Sequence, residues 1–189
     1  MKGSKFEALK IVHYGHPALR KKAAPVGRVT AEVKALVKRM TELMEEARGV
    51  GLAANQVAVP RRVAVVMVDG TPTALIDPEI ISAEGSEKAD EGCLSLPRLY
   101  GDVERPTRVV MAARDLSGKR FTAEGEGLLA RAFCHEMDHL NGRLFVDQVD
   151  ESTLHWLVRA GDEQEPVIQP TTLEDALKFL LLASRGETR

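Results

Sequence analysis

Phe133-Cys134-His135-Glu136-Met137-Asp138-His139-Leu140 contains the pattern His-Glu-x-x-His. On a helix, His135 and His139 share one face, roughly 5–6 Å apart at Cβ, so two neutral imidazoles can hold one transition metal. Glu136 lies close enough to reach a water on that metal. The flanks predict the helix: Leu128, Leu129, Ala132, Phe133, Met137 and Leu140 recur at helical spacing. Glu126 suits its first turn, and Asn141-Gly142 tolerate the left-handed backbone that ends a helix. His135 and His139 fall between apolar positions, where unliganded imidazoles would need other polar partners.

A catalytic site needs a third ligand. Cys93, inside Glu91-Gly92-Cys93-Leu94-Ser95-Leu96-Pro97, is the upstream candidate. Two histidines and a thiolate leave a fourth tetrahedral position open for water. Gly92 lets the backbone approach a ligand closely. Ligand types alone point to zinc. Cys134 neighbours His135 and so projects about 100° away around the helix, which reads as packing. His155 lies downstream, where the third ligand of a zinc peptidase would stand. A second alternative is a metal-stabilised binding module without activity. Gly49-Val50-Gly51-Leu52-Ala53-Ala54-Asn55-Gln56 is a run of small residues ending in an amide. It lacks the Lys-Ser/Thr of a phosphate loop; it reads as backbone that must come close to something, with Gln56 as a donor.

The 189 residues suit one domain with a sizeable core, and 44% apolar and 29% charged residues are ordinary for a globular chain. A net charge of −2 gives no basic field for nucleic acid. The start, Met1 to Glu7, lacks the apolar core of a signal peptide, and no apolar run approaches the length of a membrane span. Two cysteines argue against a disulfide framework and point to a reducing cytoplasm.

Patterning predicts a strand over 9–12 and a long helix capped by Thr30 that runs to about Ala47. The apolar stripe of that helix is Val33, Leu36, Val37, Met40, Leu43, Met44 and Ala47, and Gly49-Val50-Gly51 ends it. Strands are predicted over 62–68, 74–76 and 80–83. A hairpin is predicted from 108–114 and 120–123 about Ser117-Gly118. Short antiparallel strands around a metal-binding helix make the class α+β. Residues 1–150 read as the catalytic domain. Residues 151–189 read as an extension: an acidic surface linker over 161–170, then a helix capped by Thr171 or Thr172. The apolar face of that helix, Leu173, Ala176, Leu177, Leu180 and Leu181, docks on the same domain or on a second copy.

The three motifs, in this order, resemble the peptide deformylase family. The likeness covers about residues 8–148, including His16-Pro17-Ala18-Leu19-Arg20. One departure is Cys134, where the family usually has Gln. The resemblance implies that Cys93, His135 and His139 bind Fe²⁺, replaceable by nickel, cobalt or zinc. It implies that the substrate is the formyl-methionine end of a nascent polypeptide and the products formate and a free amino terminus. Glu136 would take the proton of the metal-bound water and pass it to the leaving amine. The Gln56 amide and the Leu94 backbone N–H would donate to the developing oxyanion. The peptide would lie extended along the backbone of the first two motifs, including Gly51, Glu91 and Gly92. Val50, Leu128, Arg131 and Ala132 would line the methionine pocket, the Arg131 head reaching water, with Tyr100 at the rim. Asp138 would pair with Arg105. The implied partners are nascent peptides and a transient ribosome contact, with the protein a monomer or dimer.

Overall fold

The computed structural model describes residues 6–158 and 165–186. The chain forms α1 (Ala31–Glu46), β1 (Gly51–Ala53), β2 (Val63–Val68), β3 (Thr71–Glu84), β4 (Glu87–Cys93), β5 (Leu96–Arg105), β6 (Arg108–Arg114) and β7 (Arg120–Glu126). Then follow α2 (Leu128–Leu140), β8 (His155–Val158), β9 (Val167–Pro170) and α3 (Leu173–Ser184). The strands make two antiparallel sheets, ordered β1-β2-β3-β6-β7 and β4-β5-β8-β9. The class is α+β.

β2 explains the architecture. Val63 and Val65 pack with Val33, Leu36, Met40 and Met44 of α1. Their alternates Ala64 and Val66 pack with Ala130, Phe133 and Leu140 of α2. A strand buried on both faces reads as a continuous apolar run, which is why Val63, Ala64, Val65 and Val66 show no polar alternation. α1 and α2 therefore sandwich the larger sheet. Phe145 and Val146 follow α2 and pack with Leu96, Leu99 and Val103 of β5, so the chain after α2 holds the second sheet beside the first. Ala176 and Leu180 of α3 are buried in that same cluster. No helix among the described residues is long and apolar enough to cross a membrane.

Several expectations change. Residues 9–12 form no strand; they lie extended, with Val12 N–H donating to Gln56 O (2.8 Å) and Tyr14 N–H to Ser95 O (2.9 Å). The strands expected over 74–76 and 80–83 are one, β3, bent by register shifts around Pro78, which has no N–H to give a ladder. β4 and β5 were not foreseen, because four of the seven residues of β4 are charged and hide the strand pattern. Glu126 closes β7, and Gly127 caps α2, leaving no acid in its first turn. Helix α1 ends one step before the glycines: Ala47 is its cap and Arg48 takes the left-handed conformation at φ 54°. Thr30 and Thr172 accept bonds from Val33 N–H and Asp175 N–H, as caps do. Of the linker expected over 161–170, residues 161–164 lie outside the described residues, while Val167–Pro170 is the edge strand β9, paired to β8.

Candidate metal centre

Residues 91–95 end β4 and begin the turn into β5, while α2 presents the histidines. Cys93, His135 and His139 offer ligand atoms that all lie within 4.8 Å of one another. His139 Nε2 stands 3.2 Å from Cys93 Sγ and 3.1 Å from His135 Nε2. Among the described residues, they are the group of three or more potential ligands close enough to hold an ion.

The tautomer follows from the carboxylate behind His135. Glu91 Oε1 can only accept, so His135 Nδ1, 2.7 Å away, carries the proton and donates. The Nε2 lone pair is then left facing His139 Nε2. Two such nitrogens on one tetrahedral ion lie roughly 3.4 Å apart. A thiol and two facing imidazole nitrogens thus fit a divalent cation better than they fit one another. Burial holds the His139 imidazole below its ordinary pKa, and so neutral, the ligating form.

Glu91 anchors this arrangement. Its carboxylate receives Arg105 Nη2 at 2.8 Å and Nε at 3.1 Å, and Arg131 Nη1 at 3.1 Å. Burial opposes its ionisation, but His135 and Arg105 outweigh that and hold its pKa below the carboxylate range. Arg105 also binds the half-buried Asp138 at 2.6 Å, which ties β5 to α2. The Glu91 oxygens are thus taken by two guanidiniums and a histidine. One expectation is corrected here. The Arg131 head does not reach water; it is buried on Glu91, on Val103 O at 2.8 Å and on Glu87 O at 3.1 Å. The signal was present but depended on the unforeseen strand: in β4, Glu91 and Cys93 stand two apart and so share a face.

Beside the ligands, Glu136 is 4% exposed, and its Oε2 has no hydrogen-bond partner. Burial pushes its carboxyl up to about 7. Gly51 makes room for it: a Cβ there would stand 2.3 Å from Glu136 Oε1. Gln56 is held from behind, because Ala53 N–H donates to its Oε1 (2.8 Å), which turns Nε2 toward Ser95 Oγ (3.3 Å) and Cys93 Sγ (3.6 Å). Gln56, Cys93, His135 and Glu136 open on a cleft of about 620 Å³, and His139 lies outside its lining. Val50, Gly51, Gly92, Leu94, Tyr100, Leu128 and Ala132 line it too. Gly92 allows Tyr100 to pack flat on it, since a Cβ would meet the ring at 2.4 Å. Cys134 is buried among the apolar residues of α2 and the larger sheet. His155 lies elsewhere, bonded to Thr153 O and stacked on Tyr100.

A family model described as polypeptide deformylase matches residues 8–155. The chain belongs to the peptide deformylase family. A peptide deformylase of Heliobacterium modesticaldum is 49% identical over 141 residues, covering 75% of this chain and 93% of that protein. One from a Thermoanaerobacter species is 44% identical over 172 residues, covering 91% and 94%. Among solved structures, the peptide deformylase of Thermotoga maritima superposes with a TM-score of 0.73 at 40% identity, covering 75% of this chain and 97% of that one. The enzyme of Synechococcus elongatus, in complex with actinonin, gives 0.74 at 33%, covering 100% and 90%. These relatives are hydrolases of a metal-dependent family, in keeping with the Cys-His-His group.

Proposed function

We propose that this protein removes the formyl group from the amino-terminal methionine of nascent polypeptides, releasing formate, in the cytoplasm. The observation that carries the reading is three converging ligand atoms, two of them on side chains lining one cleft, beside an unpartnered buried carboxylate and an oriented amide in that same cleft. Cys93, His135 and His139 would hold the ion, Fe²⁺ by family resemblance. Such an ion supplies Lewis acidity, which makes a water acidic near neutral pH. Glu136 takes the proton from the attacking water and returns it to the leaving nitrogen. Its lack of any competing hydrogen bond supports that role, as does a carboxyl pKa raised toward neutrality. The Gln56 Nε2 and the Leu94 backbone N–H donate to the oxygen on which charge develops; a donor of this kind is worth on the order of 10²–10³ in rate. Gln56 cannot swing away without breaking its bond from Ala53.

The peptide runs extended along the backbone of Val50, Gly51, Glu91 and Gly92, with Tyr100 at the rim. Val50 and Leu128 remain 44% and 65% exposed at the cleft, apolar surface suited to a methionine side chain together with Ala132 and the buried stem of Arg131. Residues 1–150 carry the catalytic unit, and 151–189 brace it by extending the second sheet and seating α3 on its core. The test is formate release from a formyl-methionyl peptide by anaerobically prepared, Fe²⁺- or Ni²⁺-loaded protein, with an acetyl-methionyl peptide in parallel. Rapid release from the formyl peptide alone is expected. A folded, metal-loaded protein that releases none overturns the reading.

A further inference from the structure

The cleft carries positive charge that the proposed chemistry does not use. Of the charged side chains lining it, Glu136 serves the chemistry, Glu91 and Arg131 bind each other, and Asp90 faces His155 at 3.7 Å. Arg48 and Arg98 remain. Both are exposed, and among the described residues neither guanidinium has a hydrogen bond or ion pair.

Their backbone is as telling as their charge. Arg48 stands at φ 54° and Arg98 at φ 66°. Of the described non-glycine residues with positive φ, the others (Ala58, Asp69 and Asp77) do not line the cleft. Arg48 N–H donates to Glu45 O at 2.9 Å and Gly49 N–H to Met44 O at 2.8 Å. This is the helix ending in which glycine ordinarily takes the left-handed place. A cation near a helix C-terminus gains from the dipole, but a residue one turn earlier would gain it without strain. Two strained arginines, from different elements, on one cleft point to what their side chains face.

Depth assigns the position. Gln56, Cys93, His135 and Glu136 lie deep or half-buried; Arg48, Pro97 and Arg98 lie exposed at the mouth. An extended peptide with its formyl group at the deep end advances about 3.3 Å per residue, so the residues just after methionine reach the mouth. We infer that Arg48 and Arg98 form an anion-selecting mouth, and that the enzyme favours formyl-methionyl chains bearing Asp or Glu at the second or third residue. The inference rests on the deformylase reading. The contact is equally present before and during the reaction, so it lowers KM and leaves kcat nearly alone. Between exposed groups it is screened by salt.

The experiment compares kcat/KM of the metal-loaded enzyme for formyl-Met-Asp-Ala, formyl-Met-Ala-Asp, their lysine counterparts and formyl-Met-Ala-Ala. The acidic peptides should lead the lysine peptides by about three- to tenfold at low salt, mostly through KM, and the lead should shrink as salt rises. Arg48→Gly and Arg98→Gly should each pull the acid-to-lysine ratio toward one without lowering the melting temperature, because glycine accepts positive φ without strain. The double substitution Arg48→Glu, Arg98→Glu should invert the ratio. Reading a ratio within each protein makes the result independent of overall activity. Turnover of formyl-Met-Ala-Ala with acidic and lysine peptides within twofold of each other overturns the inference and leaves the deformylase reading standing. No formate from any of the peptides overturns both.

Discussion

Glu136 and Cys93 are neighbours in the cleft but separable in function. Glu136 touches none of the three ligand side chains by a hydrogen bond, whereas Cys93 Sγ is one of the converging atoms. Glu136→Gln is therefore expected to keep its metal and lose about 10²–10⁴ in kcat; formate kinetics beside elemental analysis read the two effects separately. Cys93→Ala should lose the metal, and unchanged metal content would remove it from the ligand set. Gly51 adds a steric version of the same experiment. A Cβ 2.3 Å from Glu136 Oε1 must displace the carboxylate, so Gly51→Ala should fold, bind metal and turn over at least tenfold more slowly. At this scale the sequence was largely legible, because ligand spacing on a helix is a local property. The direction of Arg131 was not: whether a long side chain snorkels outward or folds onto a carboxylate depends on what lies across from it.

Strand β4 and helix α2 are joined by charge as well as by the metal ligands. Glu91 at the end of β4 takes bonds from His135 and Arg131 of α2 and from Arg105 of β5. Removing one member of a buried charged set leaves others uncompensated, at a cost of about 3–5 kcal/mol. Arg131→Leu should therefore lower the melting temperature by several degrees and weaken metal retention, although Arg131 is no ligand. Calorimetry with a metal-dissociation measurement checks this, and an unchanged melting temperature would mean the network is dispensable. The strand was hidden for the same reason that the network exists. Its charged residues, Glu87, Lys88, Asp90 and Glu91, break apolar alternation, yet Glu91 is among the buried residues of the chain. Local composition marks such a segment as surface; only its partners make burial affordable.

Across the whole molecule, the candidate metal centre draws side chains from both sheet layers. Cys93 belongs to the smaller sheet, while α2 packs on the larger one. A ligand bound by the folded state alone stabilises it in proportion to the logarithm of its concentration over its dissociation constant, about 4 kcal/mol at a thousandfold excess. Stripping the metal with a chelator should lower the melting temperature, and restoring Zn²⁺ or Ni²⁺ should recover it. Equal melting temperatures with and without metal would show that the sheets are held together by Phe145, Val146 and their neighbours alone.

By itself the sequence determined the α+β class, the three helices, the N-caps of α1 and α3, and the Cys-His-His group that converges. Each follows from periodicity or from spacing within a few residues. Tertiary structure alone decided the rest. The extended segment before Pro17 is stitched to Gln56 and Ser95, and Glu91 becomes a buried anchor. Arg131 turns inward, and Arg48 and Arg98 meet on one cleft. In each case the deciding partner is far away in the chain, and a hydrogen bond or a desolvated charge has no local signature until that partner is in place.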